Sequence, residues 1–275
     1  MSAITSHSVL GYENYVDHPS ANLVGLPSVV NVGAIADPLL GTVSTQSDTT
    51  LSWGVTGETS ASAPFNAVYV RFRDGWSNAV SLQFSLYSDA GRADLVYVNT
   101  VTISWPSAWP LKYPRRPIAR MFFETVYGRY WKASVVRSTA TPLQVARLYV
   151  GPVAQFGGTD TGSERSSSRM TVVKASEEVV GDLGTNFRFN RPQRRSVAAE
   201  ISGVPVDRAR EVVSPQIMFA SATEDVLYCM VPSRPQTDAL MIQHETIWGA
   251  LTSDGGLTFS TPGFWDFGFT VMERI

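Results

Sequence analysis

The sequence predicts an all-β protein: an N-terminal β-sandwich or jelly roll, then a second, mostly-β domain with one short helix. Three observations carry that reading. Apolar and polar residues alternate with a period of two in run after run. Clusters of Gly, Pro, Asn, Asp and Ser break those runs at close intervals. Helical spacing is confined to one stretch, 206–220.

Met1 to Asn66 is rich in Ser, Thr, Gly and Pro, which suits loops over a β-core. Thr50 to Val55 and Ala67 to Phe72 read as strands. In the second, Val68, Val70 and Phe72 alternate with Ala67, Tyr69 and Arg71, as expected of a half-buried strand. Val80 to Tyr87 repeats the pattern, Asp89-Ala90-Gly91 turns the chain, and Leu95 to Ile103 is a further strand. Trp105 to Pro117 holds too many prolines for a central strand and reads as a loop or an edge. Ile118 to Val126 returns to strand. Tyr130 to Val136 and Gln144 to Val150, joined by the polar turn Ser138 to Pro142, read as a hairpin that closes the sandwich. Gly151-Pro152 ends it, because proline brings no ladder donor.

Residues 1–152 therefore form the sandwich, 153–169 is a Gly/Ser/Thr-rich linker or long loop, and 170–275 is a mostly-β assembly domain. Strands are expected at Met170 to Lys174, Phe187 to Phe189, Ser196 to Ile201, Val226 to Val231, Thr246 to Thr252, Leu257 to Ser260 and Phe267 to Met272. In the helix, Val206, Ala209, Val213, Ile217 and Ala220 share a face, Asp207 complements the N-terminal dipole, and Pro215 shortens or kinks it.

Bulk composition excludes several functions. With 275 residues, 44% hydrophobic and 17% charged, the chain is globular and lightly charged. A net charge of −2 gives no long-range pull toward nucleic acid or anionic membrane. The single cysteine, Cys229, excludes an intrachain disulfide and a cysteine-only zinc site. No apolar run approaches the roughly 20 residues of a bilayer span. Met1 to Leu10 has neither a basic start nor an apolar core, so a cytoplasmic origin is expected.

The candidate chemistry is thin. His7, His18 and His244 have no partners at metal-ligand spacing except Glu245, which on a strand would face away from His244. Cys229 sits in an apolar strand and reads as a small buried hydrophobe. Asp160-Thr161-Gly162 matches an aspartic-protease triplet in a Gly/Ser context that does not suit that chemistry. Glu177-Glu178 lacks a recognisable partner acid. No cofactor, metal or catalytic residue is expected, and the chain reads as a non-enzyme.

The aromatics offer more. Trp105, Trp109 and Tyr113 crowd one proline-rich loop, and Trp53 and Trp76 lie near other turns. Such rings either stack on sugar faces, or plug the sandwich ends and meet a neighbouring subunit. The cluster Arg188, Arg191, Arg194 and Arg195 is too thin for a nucleic-acid footprint and suits a solvated turn or an intersubunit ion-pair site.

The segment Tyr130-Trp131-Lys132 with Ala146-Arg147-Leu148-Tyr149-Val150-Gly151-Pro152 resembles a hairpin in tail-tip and baseplate proteins of tailed bacteriophages. Those proteins carry a galactose-binding-like jelly roll. The start, Tyr15 to Leu26 with His18 to Leu23 inside it, and the closing runs Trp248 to Ser253 and Phe267 to Glu273 are similar as well, although Ala146 stands where the family has glycine. The resemblance implies a structural virion protein, assembled in a host cytoplasm, that oligomerises around the tail axis with copies of itself and other tail proteins. The alternative is a carbohydrate-binding module of the tail that recognises a host-surface glycan.

Overall fold

The computed structural model describes residues 8–37, 43–46, 52–74, 79–105, 117–137, 143–156, 165–173, 176–180, 186–190, 194–210, 225–252 and 256–274. The first half runs through β1 (Ser8–Gly11), β2 (Val24–Gly25), β3 (Val29–Val30), a 3-10 turn at Val32–Ile35, β4 (Ser44–Gln46), β5 (Ser52–Asp74), β6 (Ala79–Tyr87), β7 (Leu95–Ser104), β8 (Ile118–Arg137) and β9 (Gln144–Gly151). The second runs through β10 (Val153–Phe156), β11 (Arg165–Val173), β12 (Ser176–Val180), β13 (Asn186–Asn190), β14 (Arg194–Pro205), α1 (Val206–Arg208), β15 (Asp225–Cys229), α2 (Ala239–Glu245), β16 (Thr246–Leu251), β17 (Gly256–Thr261) and β18 (Phe264–Glu273). The all-β class and the N-terminal sandwich hold.

One sheet has the order β3-β4-β9-β5-β8-β6-β7, with β2 on β5. Its frame is the long antiparallel pair β5 and β8, whose register shifts between Glu58 and Ala63 and again between Phe65 and Ala67. Such irregularities bend strands, and the bent pair rolls the sheet over itself. Its first half pairs Ser52–Glu58 with Tyr130–Val136 and carries β6 and β7 beside β8. Its second half pairs Ala67–Arg71 with Ile118–Phe122 and carries β9 and β4 beside β5. Between the halves lies one apolar core, with Trp53, Trp131 and Leu82 from one side and Val68, Leu148 and Met121 from the other. Phe84 of β6 stacks on Phe123 of β8 across it, centroids 5.4 Å apart.

The second sheet has the order β10-β1-β15-β16-β18-β14-β11, with β17 on β18. It curls around its own core of Leu10, Phe156, Val197, Ile247, Phe267 and Phe269. β11 is tied back toward β15 by the Ser168 and Tyr228 hydroxyls, 2.5 Å apart. β12 and β13 form a separate two-stranded ladder.

The two sheets meet face to face. Ala67, Tyr69, Ile118 and Tyr149 of the first pack on Val9, Leu227, Cys229 and Trp248 of the second. The Trp248 ring stacks on Tyr69 at 6.3 Å and an interplanar angle of 17°. The Arg147 guanidinium lies 4.5 Å over it. Arg71 donates to the Arg274 carbonyl at 2.7 Å, and Arg120 to Thr246 Oγ1 at 2.7 Å and to the Val231 carbonyl at 2.8 Å.

Several expectations are corrected. β8 and β9 do not pair as a hairpin, because β5 lies between them, with Tyr69 opposite both Arg120 and Tyr149. The second half of β5 is buried on both faces, which suits a central strand. The strands expected at Thr50–Val55 and Ala67–Phe72 are parts of one strand, as are those at Ile118–Val126 and Tyr130–Val136.

The chain does not divide at residue 152. β1 belongs to the second sheet, with Gly11 opposite Val153. The expected linker supplies β10 and the start of β11. At the crossing, the Tyr149 hydroxyl donates to the Pro152 carbonyl at 2.5 Å. Asn66 brackets Val153 with bonds of 2.6 and 3.1 Å, and Asn14 does the same for the backbone of Leu148 and Val150, both at 3.0 Å. Glycine is required at 151, where a Cβ would strike the Glu13 carbonyl.

Of the expected helix, α1 covers only Val206–Arg208, and 211–224 lies outside the described residues. The unanticipated helix is α2, capped by Asp238 Oδ1 accepting from the Met241 amide at 3.3 Å.

Replacing Trp248 with alanine empties the layer between the sheets. Trp248→Ala is expected to lower unfolding free energy by about 3–5 kcal/mol. Equilibrium denaturation measures it, and a loss under about 1 kcal/mol would mean that the two faces are not packed on this ring.

Candidate functional site

Rolling the sheet brings strand ends from both halves of the sandwich to one pole. In one half, Val80 lies opposite Arg137, Ala79 opposite Ser104, and Ser52 opposite Val136. In the other, Arg71 lies opposite Ile118 and Asp74 opposite Gln144. Three contacts join the halves here. Arg137 Nη2 donates to Gln46 Oε1 at 2.6 Å, Trp53 Nε1 to Ser44 Oγ at 3.3 Å, and Trp105 meets Phe72 edge-on at 5.9 Å. Segments 47–51, 75–78, 106–116 and 138–142, which lie outside the described residues, all connect strand ends at this pole.

The predicted aromatic site is thereby sorted. Trp105 is 3% exposed and joins the sandwich core, so it plugs the pole and offers no face to a ligand. Trp53 is also buried. Trp76, Trp109 and Tyr113 lie outside the described residues.

The basic cluster does not hold together. Arg195 is buried and paired inside the chain: its Nε and Nη2 donate to Glu273 at 2.8 and 2.5 Å. Its Nη1 also caps α2, donating to the Gln243 and His244 carbonyls at 2.5 and 3.0 Å. Burial on the concave side of the sheet forces that pairing, and it removes Arg195 as an intersubunit contact. Arg194 is exposed on β14, Arg188 sits on β13 opposite Glu178, and Arg191 lies outside the described residues.

The remaining candidate residues with described positions are scattered among the elements. Among the described residues no group of three or more His, Cys, Asp or Glu could hold a metal. His7 and Asp160-Thr161-Gly162 lie outside the described residues, and Glu177 and Glu178 fall on β12. His18 is exposed, its Nδ1 2.7 Å from Ser20 Oγ. His244 and Glu245 lie on α2 and not on a strand, with Glu245 held by Arg234 Nε at 3.0 Å. They border a cleft of about 800 Å³ lined mainly by Met170, Met230, Met241, Ser166 and Ser168, which sequence reasoning missed. Its sequence signal was Asp238 followed by a run of helix formers. Burial pushes the Cys229 thiol up, against the pull of the adjacent Arg120 guanidinium, so the sulfur stays protonated and inert near neutrality. No described helix is long and apolar enough to cross a membrane.

No protein-family model and no curated protein matches the chain. Similar solved structures include the CBM32 module of AlyQ in complex with 4,5-unsaturated mannuronic acid, at 16% identity and a TM-score of 0.37, covering 51% of this chain and 96% of that one. A fucose-binding module of Streptococcus pneumoniae matches at 16% identity and a TM-score of 0.36, over 51% of this chain and 95% of that one. A GH29 fucosidase of Ruminococcus gnavus in complex with fucose matches at 14% and 0.37, over 52% of this chain but only 27% of that enzyme. At such scores the likeness is partial, and the fold rests on the strand pairings described above.

If Trp105 is a plug, Trp105→Ala destabilises the sandwich by about 3–5 kcal/mol, as a fully buried aromatic would. Thermal and chemical unfolding of the variant would measure this, and an unchanged midpoint would return the ring to the surface.

Proposed function

We propose that the chain is a non-catalytic recognition module that binds a host-surface glycan at the pole of its sandwich where strand ends from both halves converge. The observation that supports this reading is the convergence of strand ends from both halves at that pole. Segments 75–78 and 106–116 leave from there, and the sequence puts Trp76, Trp109 and Tyr113 on them. Loops carried by a rigid sandwich end are where such folds place recognition. Flat aromatic faces suit the C–H face of a pyranose, burying apolar area without a charge. The chain is lightly charged, and among the described residues no group of three or more His, Cys, Asp or Glu gathers to hold a metal.

A glycan array is the test. Binding is expected, and Trp109→Ala or Trp76→Ala should weaken it about tenfold or more, the loss of about 1.4 kcal/mol of stacking, with unfolding unchanged. An array on which the folded protein retains no sugar would overturn the reading, as would turnover of a bound polysaccharide.

A second reading, a structural subunit of a bacteriophage tail tip, is favoured by the uncharged edge of β7. The hairpin that carried the likeness to tail proteins is not formed, so that likeness now rests on the shorter matches. Immunogold labelling of virions separates the readings: tail-tip label supports the second, and virions without label sink it.

A further inference from the structure

β7 ends the order of the sandwich sheet, so one side of its backbone has no partner strand among the described residues. Proteins usually blunt such an edge with lysine, proline, a bulge or brevity. β7 has no lysine, no proline and is not short, and its one irregularity lies at its start. It is ten residues long, LVYVNTVTIS, with no charged residue and no proline. Its register against β6 shifts once, between Tyr97 and Leu95, which leaves Val96 without a partner on β6, and is regular from Tyr97 to Ser104. The other described edges are short, irregular or charged: β2 and β3 have two residues, β10 four, β17 six with a register shift, β12 and β13 five each with charged residues, and β11 carries Arg165 and Arg169. Leu95, Val96 and Val98 are 51%, 54% and 42% exposed, unusual for three apolar residues in one short stretch.

We propose that this edge is a self-association surface, on which β7 pairs antiparallel with β7 of a second copy around a two-fold axis through Asn99. The occupant follows from the strand's own sequence. Same-face pairing requires the axis to pass through a residue. With the axis at Asn99, Val98 meets Thr100 and Val96 meets Thr102 on the outer face, while Tyr97 meets Val101 on the inner one. Every such pair joins apolar, aromatic or β-branched residues, the combinations that stabilise neighbouring strands. Moving the axis to Thr100 would set Asn99 against Val101. No charge on the strand faces its own copy, so self-pairing meets no like-charge repulsion. The surface is independent of the glycan reading, because it lies on the flank of the sandwich and not at its pole.

The full-length protein is expected to sediment as a dimer. Val98→Lys puts two lysines beside each other across the axis and should weaken the dimer about tenfold or more. Val98→Thr, which keeps the β-branch, should leave it intact. Asn99→Cys should form a disulfide-linked dimer under mild oxidation, since opposed strand residues stand about 4.5–5.5 Å apart. Val96→Cys, opposed by Thr102, should not. A monomeric wild type would overturn the proposal, as would a dimer indifferent to Val98→Lys or an Asn99→Cys variant that never crosslinks. Slow amide exchange along β7 in a monomer would assign the edge to another segment of the same chain, with the same result.

Discussion

The layer between the two sheets is the constraint on which the rest depends. Three arginines of the sandwich, Arg71, Arg120 and Arg147, lie on strands buried on both faces and point at the second sheet. A guanidinium taken out of water must find acceptors or its burial is prohibitive. Arg120 finds the Cys229 sulfur, a hydroxyl and a carbonyl. Arg147 finds Asp17, the Ile35 carbonyl and the face of Trp248. The acceptors of Arg71 and Arg120 exist only when the sheets are in register, so these bonds fix one docking geometry where apolar contact alone would allow sliding, whereas Arg147 is held within the sandwich and turns only the face of its guanidinium to Trp248. Breaking one partner leaves a buried charge uncompensated, which makes the interface all-or-none.

Individual strands were legible because period-2 alternation is local. Val80–Tyr87, Leu95–Ile103 and Phe267–Met272 needed no knowledge of their neighbours. Pairing was not legible, since it depends on which residues are covered from a distance. Arg71 fell on the alternate face of a strand that read as half-buried, so the central position of β5 was hidden. The same error made Tyr130–Val136 and Gln144–Val150 look like a hairpin: the polar turn between them is real in composition, but the long apolar β5 competes better for both. Arg195 misled in the same way, because its acid, Glu273, is far along the chain. Helix α2 was missed for a different reason: seven residues are too few to show a convincing period.

The site was half legible. The tryptophans crowd near turns in sequence, and the strands that flank their segments end at one pole. Sequence could not rank the rings. Trp105 directly follows β7 and turns inward onto Phe72, whereas neighbours a few residues on belong to the connecting segment.

The pairing of Gly11 with Val153 has a consequence for how such a protein can be put together. The whole stretch from residue 12 to 152 leaves the second sheet and returns to it through a gap the width of two adjacent strands. Joined by a tight turn instead, β1 and β10 would be an ordinary hairpin, and no ladder of that sheet would be broken. The sandwich is in that sense a graft on a host stem. A different module with closely spaced ends could be spliced at the same two residues, provided that it brought a face to cover Trp248 and Leu227.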